Sequence, residues 1–433
     1  ILTVMLLPGA FFLGLVCIPI GEFLRFRRER RAGRYPARLR TIDLGSPAVR
    51  KLLIFVIATT TANVIIGGQL VYRSVHYMES VQFCGTMCHT VMRPEYTAYQ
   101  NSPHSRVACV QCHIGPGASW AVKSKIDGVR QVWAVLLNNY DRPIPTPVRE
   151  LRPARETCEQ CHWPQKFGSN RLRVIDKYAD DEQNSHTRTV LLMRLGGGVV
   201  GPEAHAGIHG AHLGPGITIR YAHADERRQN IPWISYENNA RGRKAEYLAN
   251  DVKGDAVRGM PVRIMDCMDC HTRPSHSFDL PERAVDQALG GGLMDPTLPF
   301  IRKRAVEILK VGYSSEQDAR RRIPAALAAY YPGQESARRA GDALFAIWNR
   351  NVFPEMRINW GTYPNNIGHT DFPGCFRCHD EKNVDVADKK KTMTQDCGAC
   401  HQLVAMDEPA PKILSDLGLE PPAGAQTGGN SGQ

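Results

Sequence analysis

The sequence predicts a mainly α-helical protein with few strands, in which a transmembrane helical anchor precedes a larger domain outside the membrane. Three observations carry this prediction. Two uncharged apolar runs lie near the start, at 1–20 and 52–72. Helical periodicity marks 118–139 and 335–349, whereas 190–250 is rich in glycine and broken into short strand-like runs. Twelve of the 13 cysteines fall into six similar pairs. The role of these pairs decides what fills the core of the domain.

The anchor is expected to occupy residues 1–78 with two transmembrane helices. The run 1–20 would extend about 30 Å, which is the thickness of the hydrocarbon core of a bilayer. The intervening loop 25–51 holds ten Lys and Arg against Glu29 and Asp43. By the positive-inside rule this basic loop is cytoplasmic, and the second helix therefore runs outward. A cleaved signal peptide fits poorly, because the basic cluster follows the apolar run instead of preceding it.

Each cysteine pair is followed directly by a histidine. Five pairs have the spacing Cys-x-x-Cys-His, and the first pair has one more residue between its cysteines. In chain order the motifs are Cys84, Cys88 and His89; Cys109, Cys112 and His113; Cys158, Cys161 and His162; Cys267, Cys270 and His271; Cys375, Cys378 and His379; and Cys397, Cys400 and His401.

This spacing is typical of c-type haem attachment, in which two cysteines bond the porphyrin edge and the adjacent histidine is the proximal iron ligand. Zinc ribbons and a disulfide framework are the alternatives, but neither requires a histidine after every second cysteine. We therefore expect six covalently bound c-type haems. Because such haems are attached outside a bacterial energy membrane, we expect an inner-membrane protein whose haem domain faces the periplasm.

Six haems within residues 79–407 would form much of the core, so the domain is predicted to be a multihaem c-type cytochrome domain with a haem-filled core. Its expected parts are a four-haem domain at 79–280 with a strand and loop insertion at about 190–260, a helical connector at 281–350, a two-haem C-terminal module at 351–407, and a flexible tail at 408–433.

Electron-transfer haems usually have both axial positions filled, so distal ligands are needed as well. Nine histidines lie outside the motifs: His76, His104, His186, His205, His209, His212, His223, His276 and His369. His104, His276 and His369 lie five or six residues from a motif, and His186 follows His162 by 24 residues. The cluster His205, His209 and His212 is expected to supply at least one further ligand, for which His209 is chosen. The expected distal ligands of the second to sixth haems are therefore His104, His186, His209, His276 and His369. Met92 is the candidate for the atypical first haem, with core packing as the alternative.

The formal charge of +11 has an internal explanation. Six haems carry twelve propionate groups, which bring the net charge close to zero when ionised. The excess of Lys and Arg is therefore expected to pair partly with propionates, and nucleic acid is not expected as a partner.

The order of motifs resembles a known family. An anchor leads into Phe83-Cys-Gly-Thr-Met-Cys-His-Thr-Val-Met92, and Ser102-Pro-His104 precedes the second motif. A basic amphipathic helix follows, and the fourth motif reads Cys267-Met-Asp-Cys-His-Thr-Arg-Pro-Ser-His276. The chain resembles the NapC/NirT family of membrane-anchored multihaem quinol dehydrogenases, as a six-haem member with a C-terminal extension. Family members commonly have four haems, Cys-x-x-Cys-His at the first site, Met two residues after that His, and one anchor helix.

The resemblance implies that membrane quinol, such as menaquinol, is oxidised near the first haem. It places a Lys and an Asp on the helix after the second motif, for which Lys125 and Asp127 are the matching candidates, with Lys123 as a rival for the Lys. Electrons would then pass to a periplasmic cytochrome or reductase. Two alternatives stay open: a non-catalytic electron-wire or anchor subunit of a larger respiratory complex, and a multihaem terminal reductase with one open haem.

Overall fold

The computed structural model describes residues 7–33, 43–148, 151–163, 167–168, 170–197 and 206–419, apart from the side chains of 7–12 and 89. The chain forms two compact units, Ile1–Val75 and His76–Gln433. In the described part of the second unit, helices are more numerous than strands and contain more residues, as the sequence predicts. The fold class is therefore confirmed.

The helices of the described residues are α1 (Leu7–Arg31), α2 (Pro47–Met78), α3 (Val81–Thr86), α4 (His89–Gln100), α5 (Cys109–His113), α6 (Ala118–Leu136), α7 (Ala154–Cys158), α8 (Gly207–Leu213), α9 (Cys267–Cys270), α10 (Pro281–Gly290), α11 (Ile301–Leu309), α12 (Glu316–Tyr330), α13 (Glu335–Asn351), α14 (Cys397–Cys400) and α15 (Lys412–Asp416). The strands are β1 (Arg171–Tyr178), β2 (His186–Met193), β3 (Ile217–Ala222), β4 (Trp233–Asn238), β5 (Arg243–Ala249), β6 (Val262–Ile264), β7 (Asn383–Asp385) and β8 (His401–Glu408).

The first unit contains one described helix that is long and apolar enough to cross a membrane, α2. Its aliphatic side chains are exposed, as expected for contact with lipid. Helix α1 begins within the first predicted apolar run and continues into the basic residues up to Arg31. Residues 1–6 of that run and 34–42 of the predicted cytoplasmic loop lie outside the described residues. The two-helix anchor therefore stays a prediction.

Helices α10 to α13 form the best-packed part of the second unit. Ser315 begins α12 by accepting a hydrogen bond from the Asp318 backbone, and Pro281 begins α10, where a missing amide proton costs nothing. Their apolar faces meet in one cluster in which Leu344 and Trp348 are almost completely buried. This helical region, residues 281–351, contains no Cys and no His.

Two antiparallel sheets join the predicted insertion to the predicted C-terminal module. One sheet has the strand order β1-β2-β8, and the other has the order β6-β3-β4-β5-β7. The strand-like runs beginning at Ile217 and Ile231 are confirmed as β3 and β4, with the second strand starting at Trp233. Because β7 and β8 come from the end of the chain, the insertion and the C-terminal module share hydrogen-bonded sheets.

The first part of the predicted flexible tail contains a helix. Residues 408–419 include α15, and Leu414 is buried against the β1-β2-β8 sheet. Leu414 holds this segment against the sheet by apolar contacts, which the amino-acid composition of the segment does not indicate. Residues 420–433 lie outside the described residues.

Candidate haem-binding sites

The cysteine motifs lie on very short helical segments. Helices α5, α9 and α14 each begin at the first cysteine of a motif, and α7 ends at one. Residues three apart on a helix project from the same side, so a single turn presents both thiols together. Asp266 strengthens one such turn by forming a capping box at the start of α9, and Asp396 accepts a hydrogen bond from the Gly398 backbone at α14.

The motifs are neighbours in space in the order of the sequence. Helix α3 contacts α5, α5 contacts α7, and α7 contacts α9. The Cys84 thiol is hydrogen-bonded to that of Cys109, and the Cys158 thiol to that of Cys267. The first four motifs therefore form a continuous row.

The row continues through the fifth and sixth motifs. Cys375 lies close enough to both Cys270 and Cys400 to raise the pKa of each thiol, although burial is the larger cause in both cases. Cys375 thus lies between the fourth motif and the sixth.

Five pairs of histidine rings lie at nearly equal separations. Each pair joins a motif histidine, from the second to the sixth, with a histidine outside the motifs. The ring centroids are 5.9 Å apart for His162 and His104, 6.2 Å for His113 and His276, 6.4 Å for His271 and His209, 5.8 Å for His379 and His212, and 6.3 Å for His401 and His369.

This separation fits one metal ion between two imidazoles. A metal–nitrogen bond is about 2 Å and the ring centre lies about 1 Å beyond the nitrogen, so opposite axial rings are about 6 Å apart. The residues present therefore fit a haem iron between the rings of each pair.

Hydrogen bonds orient several of these rings. Nδ1 lies 3.3 Å from the Pro274 carbonyl oxygen in His104, 2.7 Å from that of Ile208 in His212, and 3.0 Å from that of Glu95 in His276. An Nδ1–H that donates to a carbonyl leaves the Nε2 lone pair for a metal. Burial also lowers the pKa of several of these rings, which favours the neutral imidazole that binds metals; they are His113, His209, His212, His271 and His276.

A buried ion pair fixes the segment that carries His276. The Arg273 guanidinium donates two hydrogen bonds, of 2.8 and 2.9 Å, to the Glu95 carboxylate on α4. Both side chains are nearly buried, and Arg273 also donates to the His276 carbonyl over 2.7 Å. Helix α4 therefore positions a histidine that pairs with the second motif.

His186 has a different environment from the one that its spacing predicts. Its Nε2 lies 2.7 Å from the Asp176 carboxylate, and its ring stacks on Tyr178 at a centroid distance of 4.5 Å. Arg188 donates to the same carboxylate oxygen over 3.0 Å. The nitrogen that a metal would need is thus hydrogen-bonded. The fifth motif is paired with His212 instead, a residue that the sequence analysis did not choose although it lies one helical turn after His209.

The first motif is described only in part. Met92 lies half-buried one turn after His89 on α4, and the His89 side chain is outside the described set. A cavity of about 410 Å³ borders this motif and is lined by Gly85, Thr86, Thr90, Arg93, Tyr96 and Glu355. A side chain at Gly85 would collide with the Tyr96 ring, so a glycine is required here.

Helix α6 brings Lys125 to the first motif. The hydrogen bond that the Cys84 thiol donates to Cys109, together with burial, raises the pKa of Cys84, and the nearby Lys125 ammonium acts in the opposite sense. The rival Lys123 lies over the Trp120 ring instead, with Nζ 5.1 Å from the ring centroid. Asp127 accepts hydrogen bonds from its helix neighbours, at 2.8 and 3.0 Å from Arg130 and at 2.7 Å from Gln131.

The predicted apolar face of α6 is not covered by described residues of the protein. Ile126 is 68% exposed and Trp133 is 59% exposed, with Val122, Val129 and Leu136 exposed on the same helix. Lys125 and Asp127 therefore belong to a helix that presents large apolar side chains outward.

Comparison with known proteins identifies the family. The model of the NapC/NirT cytochrome c family, N-terminal region, matches residues 46–145. The cytochrome c-type protein ImcH of Geobacter sulfurreducens is 41% identical over 414 residues, which are 92% of this chain and 79% of that relative. The cytochrome c-type protein NrfH of Wolinella succinogenes is 32% identical over 95 residues, 21% of this chain and 52% of that relative. No solved structure matches the chain.

The family resemblance of the sequence is thereby confirmed. The match to a relative extends over most of both chains, and the family model covers the anchor helix α2 and the first two motifs. The chain is therefore a membrane-anchored electron-transport protein with covalently bound haem, and it belongs to the NapC/NirT cytochrome c family.

Proposed function

We propose that this chain is a hexahaem cytochrome of the bacterial inner membrane, with its haem domain in the periplasm, that takes electrons from membrane menaquinol and passes them through six haems to a periplasmic redox partner. The observation that carries the proposal is the row of six motifs, in sequence order, with five histidine pairs spaced for one iron each.

The twelve motif cysteines would hold the haems, and the six motif histidines would be their proximal ligands. His104, His209, His276 and His369 keep their proposed role as distal ligands, because each lies across from a motif histidine. We replace His186 by His212, since the Nε2 of His186 is bonded to Asp176. Met92 remains the proposed ligand of the first haem.

Quinol oxidation is proposed at the end of the row that lies nearest the anchor in the sequence. Quinol releases two electrons and two protons, and the haems accept electrons one at a time. The exposed apolar face of α6 favours a position at the lipid surface. There Lys125 would orient a quinol oxygen beside the first motif, and Asp127 would accept the two protons in turn and release each of them to solvent.

One observation favours the runner-up, an electron-wire or anchor subunit without a quinol site. Both carboxylate oxygens of Asp127 already accept hydrogen bonds from Arg130 and Gln131, as on a purely structural helix face. A terminal reductase is disfavoured, because paired histidines at five motifs leave no open iron there.

The test compares three variants of the full-length protein in liposomes. A menaquinol analogue is mixed anaerobically with each variant, and the haem absorbance is followed. We expect Lys125→Ala and Asp127→Asn to slow haem reduction by about 10²-fold, the scale of a lost proton-transfer group, while Lys123→Ala leaves it unchanged. Dithionite should reduce all variants equally. Wild-type haems that dithionite reduces but quinol leaves oxidised would support the runner-up. Equal quinol rates in the wild type and all three variants would exclude Lys125 and Asp127 from the quinol site.

A further inference from the structure

Helix α8 carries two histidines that face two different motifs. His209 lies across from His271 of the fourth motif, and His212 lies across from His379 of the fifth. The two residues are one turn apart on α8, so they project along the same side of the helix. A single turn of helix therefore faces two successive motifs.

The backbone holds α8 in place. The amide of Ile208 donates to the Arg194 carbonyl over 2.9 Å, and that of His209 donates to the Leu195 carbonyl over 2.8 Å. Gly207 has a φ of +67°, and a side chain there would lie 2.7 Å from the Arg194 oxygen. Glycine is thus needed on both conformational and steric grounds. Gly196 and Gly197, directly after β2, pack closely against the backbone at the start of α8.

The two facing motifs are also joined to each other by buried hydrogen bonds. Asp269 and Arg377 are buried and occupy the same position in their motifs, directly before the second cysteine. Arg377 donates to the Asp269 carbonyl over 2.5 Å and to the Arg228 carbonyl over 2.7 Å. The Arg228 guanidinium returns to the Asp269 carboxylate over 3.4 Å. The fourth and fifth motifs therefore cannot move independently.

We propose that α8 supplies the distal ligands of two haems, His209 for the fourth and His212 for the fifth, so that these haems form one rigid pair. The proposal rests on the six-haem cytochrome and the distal ligands proposed above, and it goes beyond them by joining the fourth and fifth haems into one unit through α8. It predicts that a change at the start of α8 disturbs two irons at once, whereas a change at either histidine disturbs one.

The test is spectroscopic and does not depend on quinol. The full-length His212→Ala and His209→Ala proteins are purified, and intact mass is used to count covalent haems. We expect six haems in each, one of them high-spin when ferric and able to bind carbon monoxide when ferrous. The ring planes meet at 68° for His212 and His379 but at 12° for His209 and His271. His212→Ala should therefore remove a strongly anisotropic low-spin EPR signal, and His209→Ala a rhombic one.

Further variants separate ligation from folding. Gly207→Val is expected to give two high-spin haems, and the control His186→Ala none. His212→Met keeps a ligand and should retain six low-spin haems, with a raised potential for one of them, because thioether ligation raises haem potentials. Six low-spin haems in His212→Ala, or a high-spin haem in His186→Ala, would overturn the assignment. Quinol oxidation can fail while these spectra hold, so the two proposals are tested separately.

Discussion

The helical region 281–351 and the motif helices differ in what fills their interior. In the helical region, leucine, isoleucine, alanine and Trp348 interlock, and many side chains are completely buried. Helices α5 and α14, by contrast, contain no buried residue, and Cys112 and Cys397 are exposed. The sequence difference is the absence of any Cys or His in the helical region. Where motifs are present, porphyrins are expected to supply the apolar volume that side chains supply in the helical region.

The largest expected effect comes from removing one haem. Replacing Cys267 and Cys270 by serine deletes the attachment of the fourth haem and leaves its place without apolar filling. We expect hydrogen-exchange protection to be lost in α7 and α9 and to persist in α10 to α13. Simultaneous loss of protection in both regions would show that the helical region does not have an independent core.

A smaller effect is expected inside the helical region itself. Leu344 is completely buried, so Leu344→Ala should cost about 2–5 kcal/mol of local stability through lost transfer energy and a cavity. The matched control is Leu293→Ala, because Leu293 is 67% exposed and its loss should change stability by less than about 0.5 kcal/mol. Hydrogen exchange in α13 measures both. Equal costs would contradict the packing described.

A third change weakens the connection between the regions. Arg93 on α4 reaches Glu316 at 2.5 Å, Asn349 at 2.9 Å and Glu355 at 3.3 Å. Arg93→Ala should cost about 1 kcal/mol, since these partly exposed ion pairs are screened by solvent. The haem spectra should stay unchanged while exchange at the start of α12 accelerates. A changed spectrum would mean that Arg93 also supports a haem.

The smallest effect is a pH dependence at the same contact. Hydrogen bonds from Arg320 and charge from Arg93 hold the pKa of Glu316 below its ordinary value of 4.5. A lowered carboxylate pKa stabilises the folded state above the unfolded pKa, and this contribution is lost as the pH falls through the folded value. The start of α12 should therefore loosen below about pH 4.5, and Glu316→Gln should remove that dependence. An unchanged pH dependence in Glu316→Gln would assign it to another group.

Local patterns were sufficient to predict much of this molecule. The cysteine spacing predicted the haem motifs, the apolar runs predicted a membrane helix, and amphipathic periodicity predicted α6 and α13. Local patterns could not predict which strands from distant parts of the chain pair with each other. Strand β8 pairs with β2 across more than two hundred residues, and no local pattern marks that contact.

The distal histidines show the same limit. His104 and His276 lie near motifs in the sequence, and each lies across from a motif histidine in space. His186 lies farther from its motif, 24 residues after His162, and its Nε2 is held by Asp176, whereas His212 is brought to the fifth motif by α8. The position of a histidine in the chain does not show which of its ring nitrogens is already hydrogen-bonded. The hydrogen bond between the His186 Nε2 and Asp176 distinguishes His186 from His212.

The most direct test of the central claim is reduction of the wild-type haems by quinol. The purified full-length protein in liposomes is mixed with a menaquinol analogue without oxygen, and the ferrous haem band is followed in time. We predict rapid haem reduction that depends on quinol concentration. Haems that dithionite reduces but quinol leaves oxidised would contradict it.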